Sequence, residues 1–374
     1  MGQMRVLTIA GTRPELIRLS SLIKRLDGLA EHRLLHTGQN SDERLWEIFL
    51  EDLALRPPDV NVLSSSMNLE SQLADMFVGV GRELDEFNPN AVMVLGDTNS
   101  ALCAILAERR GIPVYHMEAG NRSFDKNVPE EINRRVVDHF STYNFPYTEV
   151  ARQNLLDEGL HPRNIFLSGS PMPEVLSGIK NKIKDSKALE NLNLDQEGYL
   201  LASIHRQENV NREENLLGVV SQIVSASKEF KLPVVLSLHP RTQSKLKEYS
   251  LGIPQDLIRV ISPTSLSDYV RLQLGAFAVI SDSGSVAEES AYLGFPAVTL
   301  RPSMERPEAL ESGNLLLVDP KAGDLSQAIS FIRERRSEKF FGPPEYFFED
   351  FSSRVSSVLF STRGRQKKEL GLLE

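Results

Sequence analysis

The strongest constraint in this chain is a rhythm of short, continuous Val, Ile and Leu runs separated by longer amphipathic stretches. Six such runs lie in the first half, at 4–10, 33–37, 91–95, 114–117, 142–145 and 165–167. Six more lie in the second half, at 199–204, 234–238, 258–261, 277–281, 297–300 and 315–318. Because the runs are continuous and not alternating, they fit strands buried on both faces of a parallel sheet. Helical patterns occupy the intervals, among them 69–87, 100–110 and 213–230. Strand–helix alternation predicts right-handed crossovers and an α/β chain of two Rossmann-like doubly wound domains. With 374 residues, 41% of them hydrophobic, the chain can bury two cores.

The domain break is expected after Gly169-Ser170-Pro171, where a polar, Lys- and Asn-rich stretch at 177–196 reads as a helix plus linker. The expected division is 1–175 for the first domain, 181–342 for the second and 343–374 for a C-terminal helix and tail. Phe347, Phe351, Val355 and Leu359 recur at helical spacing, so this last helix has an apolar face with which to pack back on the first domain.

A net charge of −9 argues against nucleic acid as a partner. The basic run at 363–368 reads as a solvated terminus. One cysteine, Cys103, excludes an internal disulfide, and its apolar helical context suggests a buried thiol. No apolar segment approaches the ~20 residues of a membrane span and no leader pattern opens the chain, so a soluble, cytoplasmic protein is expected. There is no HExxH and no grouped His/Asp pattern, so no metal is expected. Gly79-Val80-Gly81 lies inside a helical pattern and is no phosphate loop, and Trp46, His32, His36 and His161 read as packing or surface residues.

The chemistry is expected at strand ends. In an open parallel sheet, ligands bind beyond the carboxyl ends of the strands. The run Val94-Leu95-Gly96-Asp97-Thr98 ends in an acid, as does His116-Met117-Glu118-Ala119-Gly120, and Pro129-Glu130-Glu131 follows shortly. One acid alone would read as a helix cap. Asp97, Glu118 and Glu130 together point to general acid and base work in one cleft.

Other strand ends carry anion-binding chemistry. Gly11-Thr12-Arg13-Pro14-Glu15 opens a helix, with Arg13 and, one turn later, Arg18 on the same side. It is not a GxGxxG fingerprint, so no dinucleotide cofactor is indicated. Its counterpart in the second half, Ser203-Ile204-His205-Arg206-Gln207-Glu208-Asn209, places a histidine and an arginine in the corresponding position, and His239-Pro240-Arg241 ends the next strand. In Ser281-Asp282-Ser283-Gly284-Ser285, backbone amides and the Ser283 and Ser285 hydroxyls can cradle a diphosphate, and Glu289 lies one turn on. The alternative for Ser285 and Glu288 is a capping box. Arg301 and Arg306 follow the next strand and would add local positive charge.

These motifs occur in a set order: GTRPE at 11–15, TGQ at 37–39, GDT at 96–98, HMEAG at 116–120, PEEINRR at 129–135, HRQEN at 205–209, SDSG at 281–284 and ERPE at 305–308. In that order they resemble the non-hydrolysing UDP-N-acetylglucosamine 2-epimerases over nearly the whole chain. The resemblance implies two domains of the glycosyltransferase-B type with an interdomain cleft, a homodimer, no cofactor, and a UDP-linked N-acetylated amino sugar as ligand. It implies that Asp97, Glu118, Glu130 and His205 are catalytic and that Arg13, His239, Ser283, Glu289 and Arg306 bind UDP. Within the family the chain looks most like the branch that converts UDP-2-acetamido-2,6-dideoxy-L-talose to UDP-N-acetyl-L-fucosamine for capsule or O-antigen; the alternatives are action on UDP-N-acetylglucosamine to give the manno epimer, or a glycosyltransferase of the same fold. The resemblance to that branch lies at Arg18-Leu19-Ser20, residues 120–125, Pro146-Tyr147-Thr148-Glu149 and residues 169–172.

Three positions depart from the commoner family pattern. Arg18 stands where lysine is frequent, Asn40 where histidine follows TGQ, and Gln207 where a charged residue is usual. Asn40 falls in the region through which UDP-N-acetylglucosamine activates some members, so that activation is not expected here. The C2 proton of such a sugar is not acidic. The mechanism implied is therefore elimination of UDP across C1–C2 and its re-addition with the proton on the other face.

Overall fold

The computed structural model describes residues 3–39, 43–62, 68–335 and 342–363. Asn40, the Trp46 side chain and the basic run beyond Arg363 lie outside the described residues. The chain divides into two compact units: residues 1–178 with 347–374, and residues 179–346.

Unit 1 holds a six-stranded parallel sheet: β1 (Arg5–Ala10), β2 (Glu31–His36), β3 (Val60–Asn61), β4 (Ala91–Leu95), β5 (Val114–Met117) and β6 (Tyr143–Phe145), in the order β3-β2-β1-β4-β5-β6. Unit 2 holds β7 (Leu200–Ile204), β8 (Val234–Leu238), β9 (Ile258–Ile261), β10 (Ala278–Ser281), β11 (Ala297–Leu300) and β12 (Leu315–Val318), in the order β12-β11-β10-β7-β8-β9. Both orders reverse once, between β1 and β4 and between β7 and β10. Those reversals are the topological switch points where a doubly wound sheet opens a crevice for a ligand.

The central strands are buried throughout, as the continuous apolar runs imply; every residue of β4 and of β10 is buried. In unit 1, Leu7, Ile9, Val92 and Val94 pack with Met76, Val80 and Leu84 of the Leu69–Phe87 helix. That helix starts where the Asn68 side chain accepts from Ser71 N at 2.8 Å and stops at Asn88 in the left-handed region. In unit 2, Leu200, Ala202, Ile280 and Val298 pack with Leu216, Val219 and Ile223 of the Glu213–Phe230 helix.

The structure differs from the sequence reading at four places. The run at 165–167 is not a strand; Ile165 forms an isolated bridge to Asn144. Pro146 has no N–H to extend that ladder and can only accept, from Ser168 N at 3.0 Å. The sixth strand of sheet 1 is instead the two-residue β3. The pattern at 100–110 is two single-turn helices, Asn99–Leu102 and Ile105–Glu108, joined by a tight turn in which Cys103 N bonds Ser100 O and Leu106 N bonds Cys103 O. Phe347 precedes the final helix, Phe351–Thr362, and is 42% exposed, whereas Phe351, Val355 and Leu359 are fully buried. That helix packs on the Arg13–Leu29 helix, with Arg25 donating to Ser356 Oγ at 2.8 Å. Cys103 is buried, and burial pushes its thiol up to about 12.

Candidate active site

At the switch point of unit 1, Gly11 is required by space. A Cβ there would lie 2.0 Å from Ser100 Oγ and 2.1 Å from Thr37 Oγ1, hydroxyls that bond each other at 2.6 Å. The helix starts at Arg13, whose guanidinium sits over the Phe49 ring at 4.6 Å. Glu15 is buried in this turn and clasps the two switch-point loops. Its Oε2 accepts from Gly11 N at 3.0 Å and Thr12 Oγ1 at 2.7 Å, and its Oε1 from Thr98 Oγ1 at 2.8 Å. Burial outweighs these donors and pushes Glu15 up to about 7.

Asp97 and Glu118 stand on adjacent strand ends, after β4 and β5. Asp97 caps no helix; Thr98 holds that position. Arg134 instead reaches Asp97 Oδ2 with Nε at 3.1 Å and Nη2 at 2.5 Å, and Glu131 Oε2 with Nη1 at 2.9 Å. Glu118 has a φ of +65°, a left-handed conformation that non-glycine residues adopt at a cost. Its carboxylate lies 3.8 Å from Arg18 Nη1 and accepts from Asn121 Nδ2 at 3.3 Å. The backbone at Gly96 runs close by, since a Cβ there would sit 3.8 Å from Glu118 Oε2.

Glu130 is the second residue of the Pro129–Phe140 helix, half-buried where the helix dipole favours an acid. Its neighbour Glu131 is spent on structure, paired with Arg134 and Arg135 and accepting from Ser123 N and Oγ. Beneath the site, fully buried His116 places Nε2 2.8 Å from Gly96 O and Nδ1 3.0 Å from Asp138 Oδ1.

In unit 2, β7 delivers His205 and β10 delivers Asp282. The fully buried Asp282 carboxylate accepts from His205 N, Arg206 N and Asn209 Nδ2. The capping box is not formed: Ser285 makes no side-chain cap, and its hydroxyl bonds that of Ser283 at 3.0 Å. Gly284 passes so close to the charged groups that a Cβ would meet Glu305 Oε1 at 3.0 Å and Arg206 Nη2 at 3.2 Å. Glu289 accepts from Gln273 Nε2 at 2.6 Å. His239 ends β8 and caps the Pro240–Glu248 helix, its Nδ1 accepting from Arg241 N at 3.2 Å. The His205 and His239 rings are 6.0 Å apart.

Three of the expected cations are each held by a carboxylate. Arg301 is 2% exposed and held by Glu208 at 3.3 Å and Glu305 at 2.9 Å, so it braces the loop. Arg206 pairs with Glu305 at 3.1 Å and Arg306 with Glu288 at 2.6 Å. A buried guanidinium with a carboxylate partner within reach is lower in energy than a bare one.

Sequence reasoning missed Glu15, Arg134, Asn209, Gln273 and Asp282. All but Gln273 stand inside the motifs described above, and only the packing shows what they hold. Among the described residues, no group of three or more His, Cys, Asp or Glu side chains could hold a metal ion, and no helix is long and apolar enough to cross a membrane.

The sequence model of UDP-N-acetylglucosamine 2-epimerases matches residues 24–359. The chain belongs to this family. It is an isomerase, and its two-sheet fold is that of a glycosyltransferase-B-like epimerase. The UDP-N-acetylglucosamine 2-epimerase of Methanocaldococcus jannaschii is 36% identical over 89% of this chain and 93% of that relative. The UDP-2,3-diacetamido-2,3-dideoxy-D-glucuronate 2-epimerase of Pseudomonas aeruginosa is 32% identical over 84% of this chain and 88% of its own. The crystal structure of the M. jannaschii enzyme in complex with UDP-GlcNAc and UDP has a TM-score of 0.90 and 34% identity, covering 96% of this chain and 100% of that one.

Proposed function

We propose that the protein inverts C2 of a UDP-linked N-acetylated amino sugar without a cofactor, by reversible elimination of UDP. A base takes the C2 proton, the C1–O bond breaks, and its electron pair leaves with UDP. The C2–H pair becomes the C1–C2 double bond of a 2-acetamidoglycal. UDP then adds back at C1 while a proton reaches C2 from the other face. Inversion calls for acid–base groups on both faces of the ring, and the roles fall to Asp97, Glu118, Glu130 and His205. Carboxylates also stabilise positive charge growing on the ring as UDP departs. Arg13, Arg18, Arg206, His239, Ser283, Gly284, Ser285, Glu289 and Arg306 are assigned to binding.

The observation that carries this reading is Glu118: an acid in a strained backbone conformation, next to the Asp97 loop, at the carboxyl edge of a doubly wound sheet. UDP-N-acetylglucosamine is the first substrate to test, since relatives of both kinds carry that name. Incubated with the sugar nucleotide alone in heavy water, the enzyme gives the manno epimer with deuterium at C2, followed by NMR. A glycosyltransferase would need an acceptor. No epimer and no deuterium from any UDP-amino sugar overturns the proposal.

One observation favours the finer substrate, UDP-2-acetamido-2,6-dideoxy-L-talose. Arg18 and Asn121, both in stretches that resemble that branch, each contact Glu118. A higher kcat/KM for the talose compound than for UDP-N-acetylglucosamine supports it; the reverse order removes it. We assign a homodimer to the active form, which light scattering tests.

A further inference from the structure

We infer that Asp282 is the positioning residue of His205, and that the two neighbouring imidazoles at this strand edge are held in opposite tautomers. The inference deepens the proposed function by saying which histidine is the proton acceptor, and it rests on that reading only for the consequence in turnover.

The argument begins with topology. β7 and β10 are hydrogen-bonded neighbours, with Ser203 opposite Ser281, so the residues that follow each strand meet at the switch point. Asp282 is fully buried there. Its Oδ1 and Oδ2 each lie 3.0 Å from His205 N, and Oδ2 also accepts from Arg206 N at 2.9 Å and Asn209 Nδ2 at 3.0 Å. Its own N–H donates to Ser203 O at 3.2 Å. With these bonds the carboxylate has no freedom to turn.

His205 Nδ1 lies 3.3 Å from Asp282 Oδ1. This is an ion-pair contact and not an aligned hydrogen bond, but a carboxylate only accepts, so the ring nitrogen nearest it is the one that carries the hydrogen. In the neutral ring the lone pair is then at Nε2, the nitrogen remote from Asp282. The His205 side chain as a whole is 35% exposed. When Nε2 takes up a proton, the positive ring stays beside a negative carboxylate.

His239 is set the other way. Its Nδ1 accepts from the backbone N–H of Arg241, so the lone pair is at Nδ1 and the neutral ring carries its hydrogen on Nε2. The two rings, 6.0 Å apart, thus present an acceptor and a donor. An acceptor suits a proton-transfer step. A donor suits an anionic oxygen such as one of a diphosphate.

Long-range proton–nitrogen correlation spectra of the full-length protein, with its seven histidines labelled with nitrogen-15, read both tautomers in the absence of substrate. His205→Gln and His239→Gln assign the two rings. Above the titration range, His205 is expected as Nδ1–H and His239 as Nε2–H. In Asp282→Asn, which keeps the side-chain shape, His205 shifts toward Nε2–H, and kcat falls at least ~10-fold while KM stays within ~3-fold. A wild-type His205 found as Nε2–H overturns the inference, with no variant required. So does an Asp282→Asn protein, folded by circular dichroism, whose His205 signals and kcat match wild type. If the tautomers are as stated but no UDP-sugar is epimerised, the proposed function fails and the assignment of Asp282 stands.

Discussion

The two units wind six parallel strands in the same order, and each buries an aspartate against a histidine at its carboxyl edge, yet the pairs do different work. In unit 1, Asp138 and His116 are fully buried, and His116 spends its second ring nitrogen on the carbonyl of Gly96. That pair braces the loop that delivers Asp97. In unit 2, Asp282 is buried but His205 is not, and the aspartate faces Nδ1 from below. A shared topology therefore does not fix which pair is scaffold: His116 is fully buried with its second ring nitrogen on backbone, whereas the His205 side chain is 35% exposed. The units also differ in the groups they gather at their switch points. Unit 1 gathers carboxylates steadied by Arg18 and Arg134, and unit 2 gathers hydroxyls, imidazoles and paired arginines around the turn at Gly284.

The largest effect that can break this comparison is on turnover. Asp97→Asn, Glu118→Gln and Glu130→Gln are each expected to lower kcat by at least ~100-fold, the usual contribution of a positioned acid or base. Wild-type rates in all three would remove the chemistry from unit 1. The paired histidines come next. His116→Ala deprives buried Asp138 of one partner and Gly96 O of its donor, and is expected to cost about 3 kcal/mol in chemical denaturation. His205→Gln is expected to abolish turnover and leave stability within about 0.5 kcal/mol, as for a half-exposed residue. If the two variants lose stability equally, the distinction between brace and reacting group is wrong.

Much of this was legible in sequence because it is local. The runs that became β4, β7, β8, β11 and β12 are largely continuous and apolar, and the strand-end acids announce themselves beside glycines. β3 was hidden because two residues show no period. Glu15 read as part of a helix start, since its partner Thr98 lies 83 residues away and only folding brings the two together. Arg301 read as available charge because Glu208, 93 residues earlier, cannot be weighed against it from sequence alone. Asp282 was passed over for the serines that follow it, although its short side chain reaches back to the β7 turn.

Glu15 sharpens the contrast through pH. Its folded value of about 7 lies above the ordinary 4.5, so the ionised form is disfavoured in the folded chain. Below about 4.5 the carboxyl is neutral in both states and costs nothing. As pH rises toward 7 the unfolded chain loses the proton first, and the folded chain loses stability, by at most about 3 kcal/mol. Above 7 the penalty is constant. Glu15→Gln is expected to flatten this slope between weakly acidic and weakly alkaline buffers, measured as denaturation midpoints. An unchanged slope would mean that the carboxyl at the unit 1 clasp is ionised throughout.

The smallest predicted effect isolates backbone strain. Among the described residues, the non-glycine positive φ values of unit 2 fall at Asn193, Glu197, Lys231 and Ser250, none of them in the loops that carry His205 or Asp282. In unit 1, Glu118 adopts such a conformation within the candidate site itself. Glu118→Ala and Glu118→Gly both remove the carboxylate and its contact with Arg18. They differ in the Cβ, which crowds the backbone at φ +65°. At an ordinary strand or helix position the alanine variant would be the more stable, because glycine has more freedom to lose on folding. Here the order is expected to invert, with Glu118→Gly the more stable by about 1 kcal/mol. The same pair of changes at His205 in unit 2 should show no inversion. Equal inversion at both positions, or none at Glu118, would mean that the strain does not distinguish the carboxylate site from the imidazole site.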